Sequence, residues 1–174
     1  MQDQDLPAFR LYLLRHARAA WAKPGQTDFD RPLDEEGYAE AEVIAEEVAD
    51  QGYRPDVVIS STALRCRETA EPFRRTLGEE LDLQFVDSLY AGPIGVYADI
   101  AFAAREQKSL MLVGHNPMIE ELFHRLVGQS IAETAAPFGY PTAGLAILDF
   151  DRRPQPVELP TGRLTCFIAP RPSR

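Results

Sequence analysis

Three short apolar runs, "FRLYLLR", "PDVVIS" and "SLMLVGH", each give way within a few residues to a longer segment of helical character. Runs this short and this continuously apolar read as strands buried on both faces. Such strands need helices above and below them. The chain supplies helices in alternation with strands along most of its length. That pattern confines the fold to the α/β class. The expected architecture is a three-layer α/β/α sandwich around a mixed, mostly parallel central sheet.

The segments fall in order. Residues 9–15 form the first strand, followed by a loop dense in Pro, Gly and Asp, "AKPGQTDFDRP". "LDEEGYAEAEVIAEEVADQG" is an amphipathic helix. Asp34 is its expected N-cap, Gly52 its stop, and Ala39, Val43, Ile44 or Ala45, and Val48 its apolar stripe. Gly37 weakens its first turn. After "PDVVIS", Ser60, Ser61 or Thr62 is expected to cap the helix "ALRCRETAEPFRRTL", which should kink or restart at Pro72. "LQFVDSL" reads as a third strand or an extended link, and "VYADIAFAARE" as a helix. "NPMIEELFHRLVG" is a helix capped by Asn116, with Pro117 at its first position and Gly128 as its stop. "AGLAILDF" and "TGRLTCFIA" read as two strands of a hairpin around "DRRPQPVELP".

The 174 residues suit a single domain, with a core over about 9–169 and short loose termini, including "APRPSR". A net charge of -9 argues against non-specific binding to nucleic acid or to an anionic membrane. It also makes any local cluster of arginines informative, because the cluster opposes the overall field. The two cysteines, Cys66 and Cys166, match no metal spacing and no disulfide framework, which points to a reducing cytoplasm. "MQDQDLPAF" has neither the basic nor the apolar region of a signal peptide, and no apolar run approaches the roughly 20 residues of a membrane span.

In open α/β sheets, ligands sit beyond the carboxyl ends of the strands. The first strand delivers Arg15-His16 there, the second leads into Arg65, and the strand at 109–114 delivers His115. If the sheet is parallel here, two histidines and two arginines converge on one edge. Guanidinium groups suit a phosphoryl group, whose charge spreads over three oxygens. A histidine among arginines is held neutral, so one ring nitrogen keeps a lone pair that can attack phosphorus. A second histidine can carry a proton and stabilise developing charge. His124, mid-helix and without such company, reads as structural, and Trp21 and the phenylalanines read as packing.

"LYLLRHARAAW", "DFDRPLDEEG", "PDVVISSTALRCRETAE" and "LMLVGHNPMIEEL", in that order, resemble the histidine phosphatase (phosphoglycerate mutase-like) superfamily. The similarity is strongest to its small SixA-like branch of phosphohistidine phosphatases and spans about residues 9–128. The resemblance implies a phosphoglycerate mutase-like fold and a phosphatase working through a phosphohistidine intermediate. It implies His16 as nucleophile, Arg15 and Arg65 as phosphoryl clamps, His115 as second pocket histidine and Arg31 as a further phosphate contact. It implies no metal and no organic cofactor. The partner would be a phosphorylated protein or a small phosphoester, with inorganic phosphate as product.

Two departures from the family pattern bear on substrate. Ala17 follows His16 where the wider family usually has glycine, and "SLYAGP" places Ala91 where many members carry a proton-donating glutamate. The next carboxylate along is Asp99. Asp28 and Asp30 lie in the loop after the first strand, and their expected role is turn formation or pairing with Arg31. Arg18 is as well explained by an outward salt bridge as by the pocket. A sugar alkoxide is hard to expel without an acid, whereas imidazole leaves easily. A short chain without long insertions also leaves its pocket open to a side chain on another protein. Both points favour protein phosphohistidine. The alternatives are a broad small-molecule phosphomonoesterase and, from another class, a phosphate-binding interaction domain with little turnover.

Overall fold

The structure is a computed structural model that describes residues 6–103, 106–155 and 158–171. Six strands form one sheet: β1 (Phe9–Arg15), β2 (Val57–Ser61), β3 (Asp82–Val86), β4 (Ser109–Gly114), β5 (Leu145–Phe150) and β6 (Arg163–Ile168). Their spatial order is β3-β2-β4-β1-β5-β6. The pairs β1–β4, β2–β4 and β2–β3 are parallel, while β5 runs antiparallel to both β1 and β6. The sheet is thus mixed and mostly parallel, and the last two strands are the expected antiparallel pair.

Period-two alternation divides the core between two faces. Leu11 and Leu13 of β1, with Leu110 and Leu112 of β4, pack against α4 (Ile94–Ala103), α5 (Met118–Val127) and the short α6 (Gln129–Ala135). Tyr12, Leu14, Met111 and Val113 point the other way, onto α1 (Glu35–Asp50) and α2 (Leu64–Leu77). Each such side chain, fully buried, contributes roughly 1.5–3 kcal/mol of transfer free energy. This is the three-layer arrangement that the apolar runs demanded.

Local details differ from the sequence expectations in instructive ways. Asp34 does cap α1, accepting from the Gly37 N–H at 2.8 Å. The buried stripe is Gly37, Ala41, Ile44, Ala45 and Val48, whereas Ala39 and Val43 face solvent. Gly37 itself is required: a Cβ there would lie 1.9 Å from the Arg18 carbonyl oxygen. α2 does not restart at Pro72: Pro72 is buried, and Ala70 and Phe73 beside it share a core with α1 whose packing overrides the lost N–H. No hydroxyl caps α2; Ser61 Oγ instead accepts from the Ala63 N–H at 3.3 Å. α5 begins one residue later than expected, at Met118, with Pro117 at the cap position, although Asn116 Oδ1 still accepts from the Glu120 N–H. "LQFVDSL" splits: β3 ends at Val86 and a four-residue helical turn, α3 (Ser88–Ala91), follows. Parts of three sequence expectations lie outside the described residues: the end of "VYADIAFAARE", the middle of "DRRPQPVELP" and the last three residues of "APRPSR". Among the described residues no helix is long and apolar enough to cross a membrane.

Candidate active site

Register brings the two histidines level. Arg15 of β1 pairs with Gly114 of β4, and the His16 N–H donates to the Gly114 carbonyl at 3.0 Å. The residues that follow, His16 and His115, therefore leave adjacent parallel strands at the same height. Their ring centroids are 5.3 Å apart. Gly114 is needed at this point because a Cβ would lie 2.6 Å from the Tyr97 ring. Tyr97, buried on α4, donates its hydroxyl to the Leu89 carbonyl and accepts from the His115 N–H at 3.1 Å.

Hydrogen bonds assign the tautomers. His16 Nδ1 lies 2.7 Å from the Ala17 carbonyl oxygen, which can only accept. Nδ1 therefore carries the proton and Nε2 the free lone pair. His115 Nδ1 is 3.4 Å from an Arg65 Nη2 donor, so its proton sits on Nε2, directed at Ser61 Oγ 2.8 Å away. Burial pushes the His16 pKa down to about 4, with the Ala17 hydrogen bond working against that and Arg65, Arg15 and Arg31 adding to it. Burial first, then His16 and Arg65, takes His115 down to about 3. Both rings are neutral near pH 7.

Three arginines surround the rings. Arg65, buried in the first turn of α2, donates Nη1 to the Asp28 carbonyl oxygen at 2.8 Å and Nη2 to the Asp28 carboxylate at 3.1 Å. Arg31 donates Nε to the Ala20 carbonyl and Nη1 to the Asp28 carboxylate. Arg15 donates Nη1 to the Tyr140 carbonyl at 2.7 Å, while its buried Nε has no hydrogen-bond partner among the described residues. Arg15, His16, Arg31 and Arg65 line one cleft of about 490 Å³, together with Arg18, Trp21 and Thr142. A larger cleft of about 680 Å³ lies between α1 and β6, but no histidine lines it.

The structure thus brings together all five residues singled out from sequence: Arg15, His16, Arg31, Arg65 and His115. It also adds three that the sequence left out or undervalued. Asp28 pairs with Arg31 as expected, yet it reaches Arg65 as well and accepts from the Tyr90 hydroxyl at 2.8 Å. The Tyr90 hydrogen bond, with Arg31 and Arg65 beside it, takes the Asp28 pKa down to about 2. Tyr90, next to Ala91, stands with its ring edge-on to His115 at 5.7 Å. Tyr97 is the third, through its hold on the His115 backbone. Asp30 stays out of the pocket and accepts from the Thr27 hydroxyl. Arg18 is ion-paired with Asp34 and Glu36 and half exposed at the rim. His124 lies outside the cleft on α5. Trp21 and Phe138 are the clear exceptions to the packing expectation, being 88% and 100% exposed. Among the described residues no group of three or more His, Cys, Asp or Glu is placed to hold a metal ion.

Residues 11–102 match the model of the histidine phosphatase superfamily, branch 1. An uncharacterised chloroplast protein of Arabidopsis thaliana is 33% identical over 132 residues, 70% of this chain and 61% of that protein's own length. An uncharacterised protein of Mycobacterium leprae is 30% identical over 165 residues, covering 91% of this chain and all of that one. Among solved structures, a candidate phosphohistidine phosphatase SixA of Agrobacterium tumefaciens is 44% identical, with a TM-score of 0.85 over 95% of this chain and 100% of that one. A protein histidine phosphatase SixA complexed with tungstate shares the fold, with a TM-score of 0.75 at 20% identity over 92% of this chain and 97% of that one. By sequence match and by fold, then, the chain belongs to the histidine phosphatase superfamily, branch 1.

Proposed function

We propose that this protein is a phosphatase that draws a phosphoryl group from phosphohistidine on another protein onto His16 and passes it to water. One observation carries the reading: two neutral imidazoles 5.3 Å apart at one sheet edge, ringed by Arg15, Arg31 and Arg65. The SixA proteins named above support it through their fold and, for the Agrobacterium protein, through sequence.

The chemistry follows from the tautomers. His16 Nε2 attacks phosphorus in line, and the Nε2–P bond forms as the P–N bond to the substrate ring breaks. With a proton on its distal nitrogen, that ring departs as neutral imidazole. The phosphorylated His16 ring carries positive charge, and the Ala17 carbonyl steadies it through Nδ1–H. The arginines meet the equatorial oxygens as charge redistributes. Water then attacks phosphorus, the P–Nε2 bond breaks and inorganic phosphate leaves. Asp28, ionised and engaged by two arginines, has no proton to give an alkoxide. The pocket therefore suits a phosphoramidate better than a sugar phosphate, and neither step calls for a metal or cofactor.

The test is His16→Ala. It should abolish labelling of the enzyme by radioactive phosphohistidine protein and lower turnover by roughly a thousandfold or more. Retained labelling would end the assignment. A parallel panel separates the substrate classes: preference for sugar phosphates over a phosphorylated histidine-carrier protein would make the enzyme a phosphomonoesterase. Tight phosphate binding without turnover would make it a binding domain.

A further inference from the structure

Trp21 is the chain's single tryptophan, and it stands in solvent at the mouth of the cleft that holds Arg15, His16 and Arg65. An exposed apolar side chain by itself is ordinary. This one differs in how it is held. Its loop is a short ribbon: Ala19 bridges to Leu33, and the Ala20 N–H donates to the Pro32 carbonyl at 2.9 Å. Arg31 Nε closes the ribbon onto the Ala20 carbonyl at 2.8 Å. The same guanidinium lies over the indole, 5.8 Å from the ring centroid. Arg31 thus connects the phosphoryl seat to the aromatic face. Trp21, Arg31 and His16 line the same cleft. Phe138, also fully exposed, stands outside this cleft.

We propose that Trp21 is the specificity-determining residue for the leaving group. Its indole stacks on a flat ring joined directly to the phosphoryl group, so the enzyme prefers phosphoimidazole or phosphoaryl donors over ringless ones. The inference rests on the phosphatase reading above and sharpens it. Stacking is sequence-tolerant and needs only a π-face on the substrate. A small cleft with an indole at its mouth can therefore accept phosphohistidine from a protein surface without enclosing it.

The experiment compares the parent, Trp21→Ala and Trp21→Phe on four donors. A phosphohistidine peptide and phenyl phosphate carry rings; phosphoramidate and glycerol 2-phosphate do not. Trp21→Ala should raise KM for the ring-bearing donors about five- to tenfold with kcat nearly unchanged, the span of one aromatic contact. The ringless donors should change less than about twofold, and Trp21→Phe should keep most of the discrimination. Because the fluorophore is unique, phenylphosphonate should quench tryptophan emission where methylphosphonate and inorganic phosphate do not. An equal KM change on all four donors, no change on any, or the same quench with both phosphonates overturns the role of the indole. If donors label His16 while Trp21→Ala discriminates none of them, only this inference falls. If no donor labels His16, the phosphatase reading falls and takes this one with it.

Discussion

The two ends of β1 carry the same residue type in opposite circumstances. At the amino end, Arg10 grips the Asp149 carboxylate with two bonds, Nε–Oδ1 at 2.6 Å and Nη2–Oδ2 at 2.8 Å. Its guanidinium also lies over the Tyr53 ring at 5.1 Å. At the carboxyl end, Arg15 bonds a backbone carbonyl and leaves a buried Nε without a partner among the described residues. Arg10 bonds a carboxylate with two of its nitrogens, and Arg15 bonds only a backbone carbonyl. The contrast teaches how to tell a structural arginine from one kept for an anion. The first bonds a carboxylate directly; the second bonds none among the described residues, Glu120 and Glu40 acting on it only through their charge, and under the proposed function an anion completes it.

The sharpest way to break this comparison is to remove each arginine in turn. Arg15→Ala should cost activity, roughly 100- to 1,000-fold in kcat/KM, the typical loss of one anion-stabilising donor, with little change in stability. Arg10→Ala should do the reverse. It leaves the Asp149 carboxylate, which is 5% exposed, with the Thr165 side-chain hydrogen bond and Arg163 at 3.8 Å as its remaining support. Losing one partner of such a pair should destabilise by about 2–3 kcal/mol while leaving kcat/KM of the folded enzyme intact. Urea unfolding and steady-state kinetics on both variants decide it. If Arg15→Ala proved the more destabilising of the two, the distinction would collapse.

A second contrast concerns pH. At the carboxyl end, His16 and His115 have folded pKa values of about 4 and about 3, below the unfolded value near 6.5. Between those limits the unfolded chain binds more protons than the folded one. The stability they contribute is complete above pH 6.5 and falls as pH drops toward 4, by on the order of 1 kcal/mol per pH unit for each ring. At the amino end, burial pushes the Asp149 carboxyl up, but the hydrogen bonds of Arg10 and Thr165 and the charges of Arg10 and Arg163 together outweigh it and hold it below its ordinary value. That end loses stability only in more acid solution. Urea unfolding at pH 6.5 and at pH 5 should therefore show a drop that His115→Gln roughly halves. An unchanged drop in the variant would mean that His115 is not held neutral.

These two ends were not equally legible in the sequence. Arg15, His16, Arg65 and His115 could be read because each follows a buried run, and a parallel sheet delivers all carboxyl ends to one edge. Asp34 could be read as a cap because capping is local. The Arg10–Asp149 pair could not, since it depends on β5 pairing antiparallel with β1, 139 residues along the chain. Tyr97 was hidden for the same reason: as one aromatic in an apolar helix, it gives no sign that its hydroxyl meets the His115 backbone. Trp21 was misread because composition alone cannot separate a packed indole from one mounted on a loop ribbon. The restart considered at Pro72 does not occur, because propensity describes an isolated helix and α2 shares a core with α1.

The smallest effect lies at Asp28, a carboxylate bonded to two pocket arginines in the manner of the Arg10–Asp149 arrangement. It accepts from Arg31, Arg65 and Tyr90 and stays ionised at any working pH. Its charge occupies donors that a phosphoryl oxygen would otherwise use, so the pocket is partly answered from within. Asp28→Asn keeps the shape and removes the charge. Its side chain is about half exposed, so water already screens much of that charge, and Arg65 keeps its bond to the Asp28 carbonyl. Inorganic phosphate should therefore inhibit the variant only about two- to fivefold more tightly, with a larger gain at low ionic strength than at high. Weaker inhibition would reverse the argument: Asp28 would then serve to aim the arginines rather than to compete for them, and the pocket would be closer to the paired end of the strand than to the open one.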